Sequence, residues 1–189
     1  TVIYTNNGDM TFTRYWQSST MLDTRSVAAA DYDNDGDMDL AEGNYGAYDY
    51  LWQNNFTAQV PVAAPENRLT LIFTLTTPYS QTTGVAWGDW DNDGYPDLAV
   101  GRYNAYDSVY ANQKSAPGAP SFTEAWRSQD QVNTTGLAWG DRDNDGDLDL
   151  AVSRTNGGWN GFYENTISHP AHTLTADTRR NYQLPNEAP

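Results

Sequence analysis

The chain contains no cysteine among its 189 residues. That excludes disulfides and thiolate metal sites, and it leaves the compartment open. Lys and Arg together number only 10, too few to build the basic face that nucleic-acid binding needs. Histidine occurs twice, at His169 and His172. No nucleophile pairs with either one in a recognisable pattern, so a surface role is expected and no catalytic residue is assigned. No run approaches the ~20 apolar residues of a membrane span, and no stretch sustains a helical period. There is no signal peptide, and the chain begins at Thr1 rather than Met, so it reads as a mature or excised segment.

Acid is what the chain has in excess. Asp and Glu number 25, giving a formal net charge of -15. More than half of these acids sit in three loops of one design: Asp31-Tyr-Asp-Asn-Asp-Gly-Asp-Met-Asp39, Asp89-Trp-Asp-Asn-Asp-Gly-Tyr-Pro-Asp97 and Asp141-Arg-Asp-Asn-Asp-Gly-Asp-Leu-Asp149. Each reads D-x-D-N-D-G-x-x-D and runs directly into Leu-Ala. Carboxylates at positions 1, 3, 5 and 9, with a turn-making Gly at position 6, are what a hard cation such as Ca²⁺ takes from a tight loop. Without a cation the loop repels itself: two carboxylates about 5 Å apart cost roughly 3 kcal/mol at an effective dielectric near 20.

In this pattern position 7 contributes its backbone carbonyl, which accounts for the variety found there: Asp37, Tyr95 and Asp147. The expected ligands are therefore Asp31, Asp33, Asp35, Asp37 and Asp39 in the first loop. In the second they are Asp89, Asp91, Asp93, Tyr95 and Asp97, and in the third Asp141, Asp143, Asp145, Asp147 and Asp149. Three Ca²⁺ ions, one per loop, would bring the formal charge to about -9. An EF-hand is excluded, because it requires flanking helices and a bidentate Glu at position 12. That position holds Glu42, Val100 and Val152, each inside a strand-like Leu-Ala-x run. An Asx-rich turn without metal is the plainer alternative, and three identically spaced copies weigh against it.

The repeat extends beyond the loops. Upstream lie Ser26-Val-Ala-Ala-Ala30, Gly84-Val-Ala-Trp-Gly88 and Gly136-Leu-Ala-Trp-Gly140; downstream lie Leu40-Ala-Glu-Gly43, Leu98-Ala-Val-Gly101 and Leu150-Ala-Val-Ser153. An apolar-aromatic-x-Asn element follows, ending at Asn54, Asn112 and Asn165, and a fourth copy, Ile3-Tyr-Thr-Asn6, opens the chain. A last element begins at Phe12, Leu69, Phe122 and, weakly, Leu174. Four short segments rich in Val, Leu, aromatics and Thr, separated by Gly, Asn, Asp and Pro, read as four antiparallel strands per repeat.

Four such strands per ~50 residues predict an all-β chain of β-propeller blades with the acidic loop as the turn between first and second strands. The predicted strands are 26–30, 84–88 and 136–140 (first), 39–43, 97–101 and 149–153 (second), 50–54, 108–112 and 161–165 (third), and 11–16, 69–75, 122–127 and about 172–176 (fourth). The organisation expected is a half blade over 1–25, blades over 26–76, 84–127 and 136–176, and a tail or linker over 177–189. About three and a half blades do not close a ring. The segment is thus either part of a larger propeller or completed by another chain through its open blade edges.

The run Ala86–Gly101 carries the pattern most fully and resembles the FG-GAP/VCBS repeats of integrin-α-like β-propellers. The likeness covers about residues 2 to 165. It implies an extracellular propeller, commonly of seven blades, with Ca²⁺ in the hairpins between first and second strands. The first repeat departs from it, with Ala29 and Ala30 in place of Trp-Gly and Glu42 in place of Val, so different inner-strand packing is expected there.

The expected role is non-catalytic: scaffolding, adhesion, or recognition of a protein or glycan. Tyr45, Tyr48, Tyr103, Tyr106 and Trp159 fall in the predicted connections between second and third strands. They are candidates to stack on a sugar ring or a protein partner, or alternatively to pack between blades. A lectin, an accessory propeller of a secreted polysaccharide-degrading enzyme, and a self-assembling surface or fibre component are the other readings. Asn55-Phe-Thr and Asn133-Thr-Thr match the glycosylation acceptor pattern.

Overall fold

The computed structural model describes residues 1–54, 68–75, 80–113, 121–156, 159–166 and 173–176. His169, His172, the Asn55 acceptor and the tail 177–189 lie outside the described residues. Among the described residues there are fourteen strands and no helix. No helix is long and apolar enough to cross a membrane.

β1 (Val2–Asn6) and β2 (Phe12–Gln17) form a separate two-stranded antiparallel sheet. Three four-stranded antiparallel units follow. The first is β3 (Thr24–Ala30), β4 (Asp39–Ala47), β5 (Tyr50–Asn54) and β6 (Leu69–Thr74). The second is β7 (Ser80–Gly88), β8 (Asp97–Ala105), β9 (Ser108–Asn112) and β10 (Phe122–Arg127). The third is β11 (Val132–Gly140), β12 (Asp149–Arg154), β13 (Gly161–Thr166) and β14 (Thr173–Ala176). In each unit consecutive strands pair antiparallel.

The second strands of the first two units run further than the sequence pattern predicts. β4 and β8 both continue four residues past the Leu-Ala-x-Gly run. These extensions leave their own unit and pair with the next: Tyr45 opposes Gln81 and Ala47 opposes Ser80, while Tyr103 opposes Asn133 and Ala105 opposes Val132. A local pattern cannot show this, because the partner strand lies in another repeat. Tyr45 and Tyr103 are therefore strand residues, not residues of a connection as expected.

The units stack face to face, and their cores lie between them. Tyr32, Ala41 and Leu51 of the first unit pack with Val85, Leu98, Val100, Tyr110 and Phe122 of the second. Trp90, Ala99 and Val109 of the second pack with Leu150, Val152, Tyr163 and Leu174 of the third. Trp16 joins the two-stranded sheet to the first unit against Leu40, Trp52 and Leu69. A strand sandwiched between neighbours is buried on both faces, as in β4 and β8 from their opening Asp through the sixth residue. Among the described residues β12 lacks a neighbour on one side, and its burial is broken at Ala151 and Ser153.

Two inner-strand tryptophans stitch the stack. Trp87 donates its indole N–H to the Ala28 carbonyl at 3.1 Å, and Trp139 donates to Ala86 at 3.2 Å. Glycine is required where the units approach most closely. A Cβ on Gly43 would sit 2.6 Å from Thr82 Cγ2, and one on Gly101 would sit 2.6 Å from Thr134 Cγ2. The first unit differs as its sequence foretold: Ala29 replaces the tryptophan and is exposed.

Candidate metal centres

Each acidic loop is the turn between the first and second strands of its unit, and all three fold identically. The position-1 carboxylate closes the turn. Asp31 accepts the N–H groups of Asp35 and Gly36 at 3.0 and 2.9 Å. Asp89 accepts those of Asp93 and Gly94 at 2.9 Å each, and Asp141 accepts those of Asp145 and Gly146 at 3.2 and 3.1 Å. The turn needs left-handed backbone at position 4, where Asn34, Asn92 and Asn144 have φ of 59, 56 and 63°, and at position 6, where Gly36, Gly94 and Gly146 have 98, 88 and 97°. Asparagine and glycine are the residues that tolerate this region.

The position-9 aspartates open β4, β8 and β12 and are almost fully buried. Each carboxylate is held from two directions. Asp39 accepts the Tyr32 N–H at 3.1 Å and the Asn54 N–H at 2.8 Å. Asp97 takes those of Trp90 at 3.0 Å and Asn112 at 2.8 Å, and Asp149 those of Arg142 at 2.9 Å and Asn165 at 2.8 Å. The third strand of each unit thus fixes the far end of the loop.

This frame gathers three carboxylates per loop: Asp31, Asp33 and Asp39; Asp89, Asp91 and Asp97; Asp141, Asp143 and Asp149. In each set one oxygen per residue lies within 4.8 Å of the others. The position-5 residues Asp35, Asp93 and Asp145 are not among the converging oxygens. Each turns one carboxylate oxygen to the N–H of position 7, at 3.1, 2.9 and 3.0 Å. Those position-7 residues, Asp37, Tyr95 and Asp147, complete the turn.

Crowded carboxylates in partly desolvated loops resist ionisation. Burial pushes both Asp39 and Asp97 up to about 7, against the opposing effect of their two backbone donors. Burial also raises Asp33, with Asp35 adding to it, and desolvation with Asp145 and Asp149 raises Asp143. At neutral pH a cation is the natural counterweight. Two like charges 4.8 Å apart oppose each other by about 3 kcal/mol at an effective dielectric near 20.

The donor chemistry fits a hard divalent ion. All converging atoms are carboxylate oxygens, with no imidazole or thiolate to favour a softer metal. Asp33 Oδ1 is buried with no hydrogen-bond partner, while Oδ2 accepts Gln53 Nε2 at 2.7 Å. A buried carboxylate oxygen is normally satisfied, and a coordinated ion would satisfy this one.

The aromatic candidates occupy the opposite ends of the units, at and beside the turns between second and third strands. Tyr48 and Trp159 are 43% and 49% exposed. Tyr45 lies under the Arg25 guanidinium at 5.0 Å and Tyr106 under that of Arg127 at 5.7 Å. Tyr103 accepts a hydrogen bond from Asn156 of the next unit at 3.1 Å. They form a scattered set along one end rather than a shared pocket.

The pattern reading passed over a second repeated carboxylate. Asp49 accepts the Asn44 N–H and the Thr82 hydroxyl at 2.8 Å each; Asp107 accepts the Arg102 N–H at 3.0 Å and the Thr134 hydroxyl at 2.8 Å. Both lie at the same distance along the chain after Asp39 and Asp97. That shared offset was the signal available for finding them. Their role is to join one unit to the inner strand of the next.

Stacked antiparallel units, each with a D-x-D-N-D-G-x-x-D hairpin at one end, define a repeat protein with acidic, cation-suited loops. The family model for the FG-GAP-like repeat matches residues 1–42 and 89–152, more than half of the chain, and the chain belongs to that family. A comparison with curated proteins gives no match.

Proposed function

We propose that the chain is a calcium-stabilised segment of an extracellular β-propeller, with a non-catalytic role in scaffolding, adhesion or recognition of a protein or glycan. Its three four-stranded units are three blades, β1 and β2 are the outer half of a fourth, and each acidic loop holds one Ca²⁺. The observation that carries this reading is the threefold recurrence of one hydrogen-bonded frame converging three carboxylates. Asp33 Oδ1, buried and without a donor, supports it at atomic level.

The ligands would be the converging carboxylates of positions 1, 3 and 9, with position 5 and the position-7 carbonyl completing the shell as the family pattern implies. Calcium neutralises the loop and fixes the hairpin between first and second strands, so its contribution is stability and geometry. The experiment is a thermal melt with and without chelator. Addition of EDTA should lower Tm by many degrees and excess Ca²⁺ should restore it; an unchanged melt would overturn the metal reading.

Recognition of a partner is assigned to the end bearing Tyr48 and Trp159, because exposed aromatics on well-supported turns suit contact with a sugar face or a protein. Glycan binding lost in Tyr48→Ala and Trp159→Ala would favour a lectin over a scaffold.

A further inference from the structure

The asparagine that ends the apolar-aromatic-x-Asn element does more than hold the position-9 aspartate of its own loop. Asn112 closes β9, Asn165 lies in β13, and both are buried. Each is tied to two acidic loops at once. The Asn112 backbone N–H donates to Asp97 Oδ1 at 2.8 Å, while its side-chain amide donates to the Tyr32 carbonyl of the preceding unit's loop at 2.8 Å. Tyr32 stands between Asp31 and Asp33 in the chain, and its own N–H donates to Asp39 Oδ2.

The same connection recurs one unit on. The Asn165 N–H donates to Asp149 Oδ1 at 2.8 Å and its amide to the Trp90 carbonyl at 2.7 Å; the Trp90 N–H donates to Asp97 Oδ2 at 3.0 Å. The path Asp149, Asn165, Trp90, Asp97, Asn112, Tyr32, Asp39 is therefore continuous through all three loops. No residue on it is more than 5% exposed.

Hydrogen bonds in such a low-dielectric path are strong, and their geometry is tightly held. A cation that draws on Asp97 moves the carboxylate to which the Asn112 N–H is bonded. The same asparagine grips the Tyr32 peptide, from which Asp31 and Asp33 project on either side. We propose that Asn112 and Asn165 are positioning residues that couple the three metal sites, so that occupation of one loop strengthens binding in the preceding one. This inference rests on the calcium reading of the loops. By linkage the coupling runs equally in both directions. Exposed links also join the loops, from Asn34 to the Gly94 carbonyl at 3.0 Å and from Asn92 to the Gly146 carbonyl at 3.3 Å and to Asp147 Oδ1 at 2.8 Å. Being solvated, they transmit less.

The test is a calcium titration of the intact chain followed by NMR at the amides of Gly36, Gly94 and Gly146. These amides report each loop separately, because each donates to its own position-1 aspartate. Disabling the second loop with Asp91→Ala should weaken the first loop, read at Gly36, by roughly fivefold or more. In an Asn112→Ala background the same change should leave the Gly36 midpoint unmoved. Asp143→Ala read at Gly94, with and without Asn165→Ala, repeats the test should Asn112→Ala fail to fold. If Gly36 and Gly94 titrate normally while the neighbouring loop is disabled, the coupling is refuted and the calcium reading stands. Coupling that survives both asparagine variants, or that vanishes only with Asn34→Ala, also refutes it. If no glycine amide responds to calcium, the calcium reading itself fails and the coupling with it.

Discussion

The Thr134 hydroxyl donates to Asp107 Oδ2 at 2.8 Å across the boundary between the second and third units, and both side chains are completely buried. The remaining oxygen of Asp107 accepts the Arg102 N–H, and the Asp107 N–H donates to Ser128 Oγ at 3.0 Å. The carboxylate thereby holds its own turn and the next unit's first strand, while the Asp107 backbone N–H ties the turn to Ser128 just beyond β10. Thr134→Val keeps the shape and removes the donor, leaving a buried carboxylate oxygen short of a partner. A loss of about 1–3 kcal/mol is expected, measured by urea denaturation, with Thr134→Ser retaining most of the stability.

The same boundary depends on an absent side chain. Gly101→Ala would place a Cβ 2.6 Å from Thr134 Cγ2 and 3.1 Å from Leu137 Cγ. Overpacking of this kind costs typically about 1–3 kcal/mol. Gly140→Ala meets nothing within 4 Å and should be near neutral. Equal melting temperatures for the two variants would refute the close-approach account. In the third unit the corresponding residue is Ser153, which is exposed; its side chain is tolerated there because, among the described residues, no further unit presses on that face.

The sequence made some levels of this structure legible and hid others. The third strands over 50–54 and 108–112 and the fourth strand over 122–127 match their predicted bounds, because Gly, Asn, Asp and Pro bound short runs of apolar and aromatic residues locally. The loops were legible because Asn and Gly at fixed positions announce left-handed backbone. Hidden were the extensions of β4 and β8, whose pairing partners lie in other repeats, and the roles of Asp49 and Asp107, which appear only when the next unit's threonine is in place. The pattern also treated Asp35, Asp93 and Asp145 as equal to the other carboxylates, whereas the fold turns one oxygen of each to a backbone N–H.

Removal of metal should give the chain an inverted pH dependence. Burial holds Asp39 and Asp97 near 7, far above the ordinary 3.8. A carboxyl whose folded pKa is raised binds protons more readily in the folded state than in the unfolded one. Its stabilisation is therefore present at low pH and is lost as pH rises from about 4 through 7. In chelator, Tm should be higher at pH 5.5 than at pH 7.5. With saturating Ca²⁺ the order should reverse, because protons then compete with the ion. A chelated protein that melts higher at pH 7.5 than at pH 5.5 would contradict this account.

Within one loop the aspartates should differ sharply in what their loss does. Asp97 is fully buried, receives two backbone N–H groups and belongs to the converging set, so Asp97→Ala removes a proposed ligand and strands the donors of Trp90 and Asn112. On the calcium reading it should abolish binding in its loop, and it should destabilise the chain by a few kcal/mol even in chelator. Asp147 occupies position 7, where the second loop carries Tyr95, and its carboxylate accepts only an exposed bond from Asn92 at 2.8 Å among the contacts seen. Asp147→Ala should leave calcium affinity within about threefold and stability within about 0.5 kcal/mol, as read by calorimetric titration and melting. The contrast separates ligation from net charge, since both substitutions remove one negative charge. If the two variants weaken calcium alike, the loops attract the ion by bulk acidity and the frame built around position 9 is not what selects it.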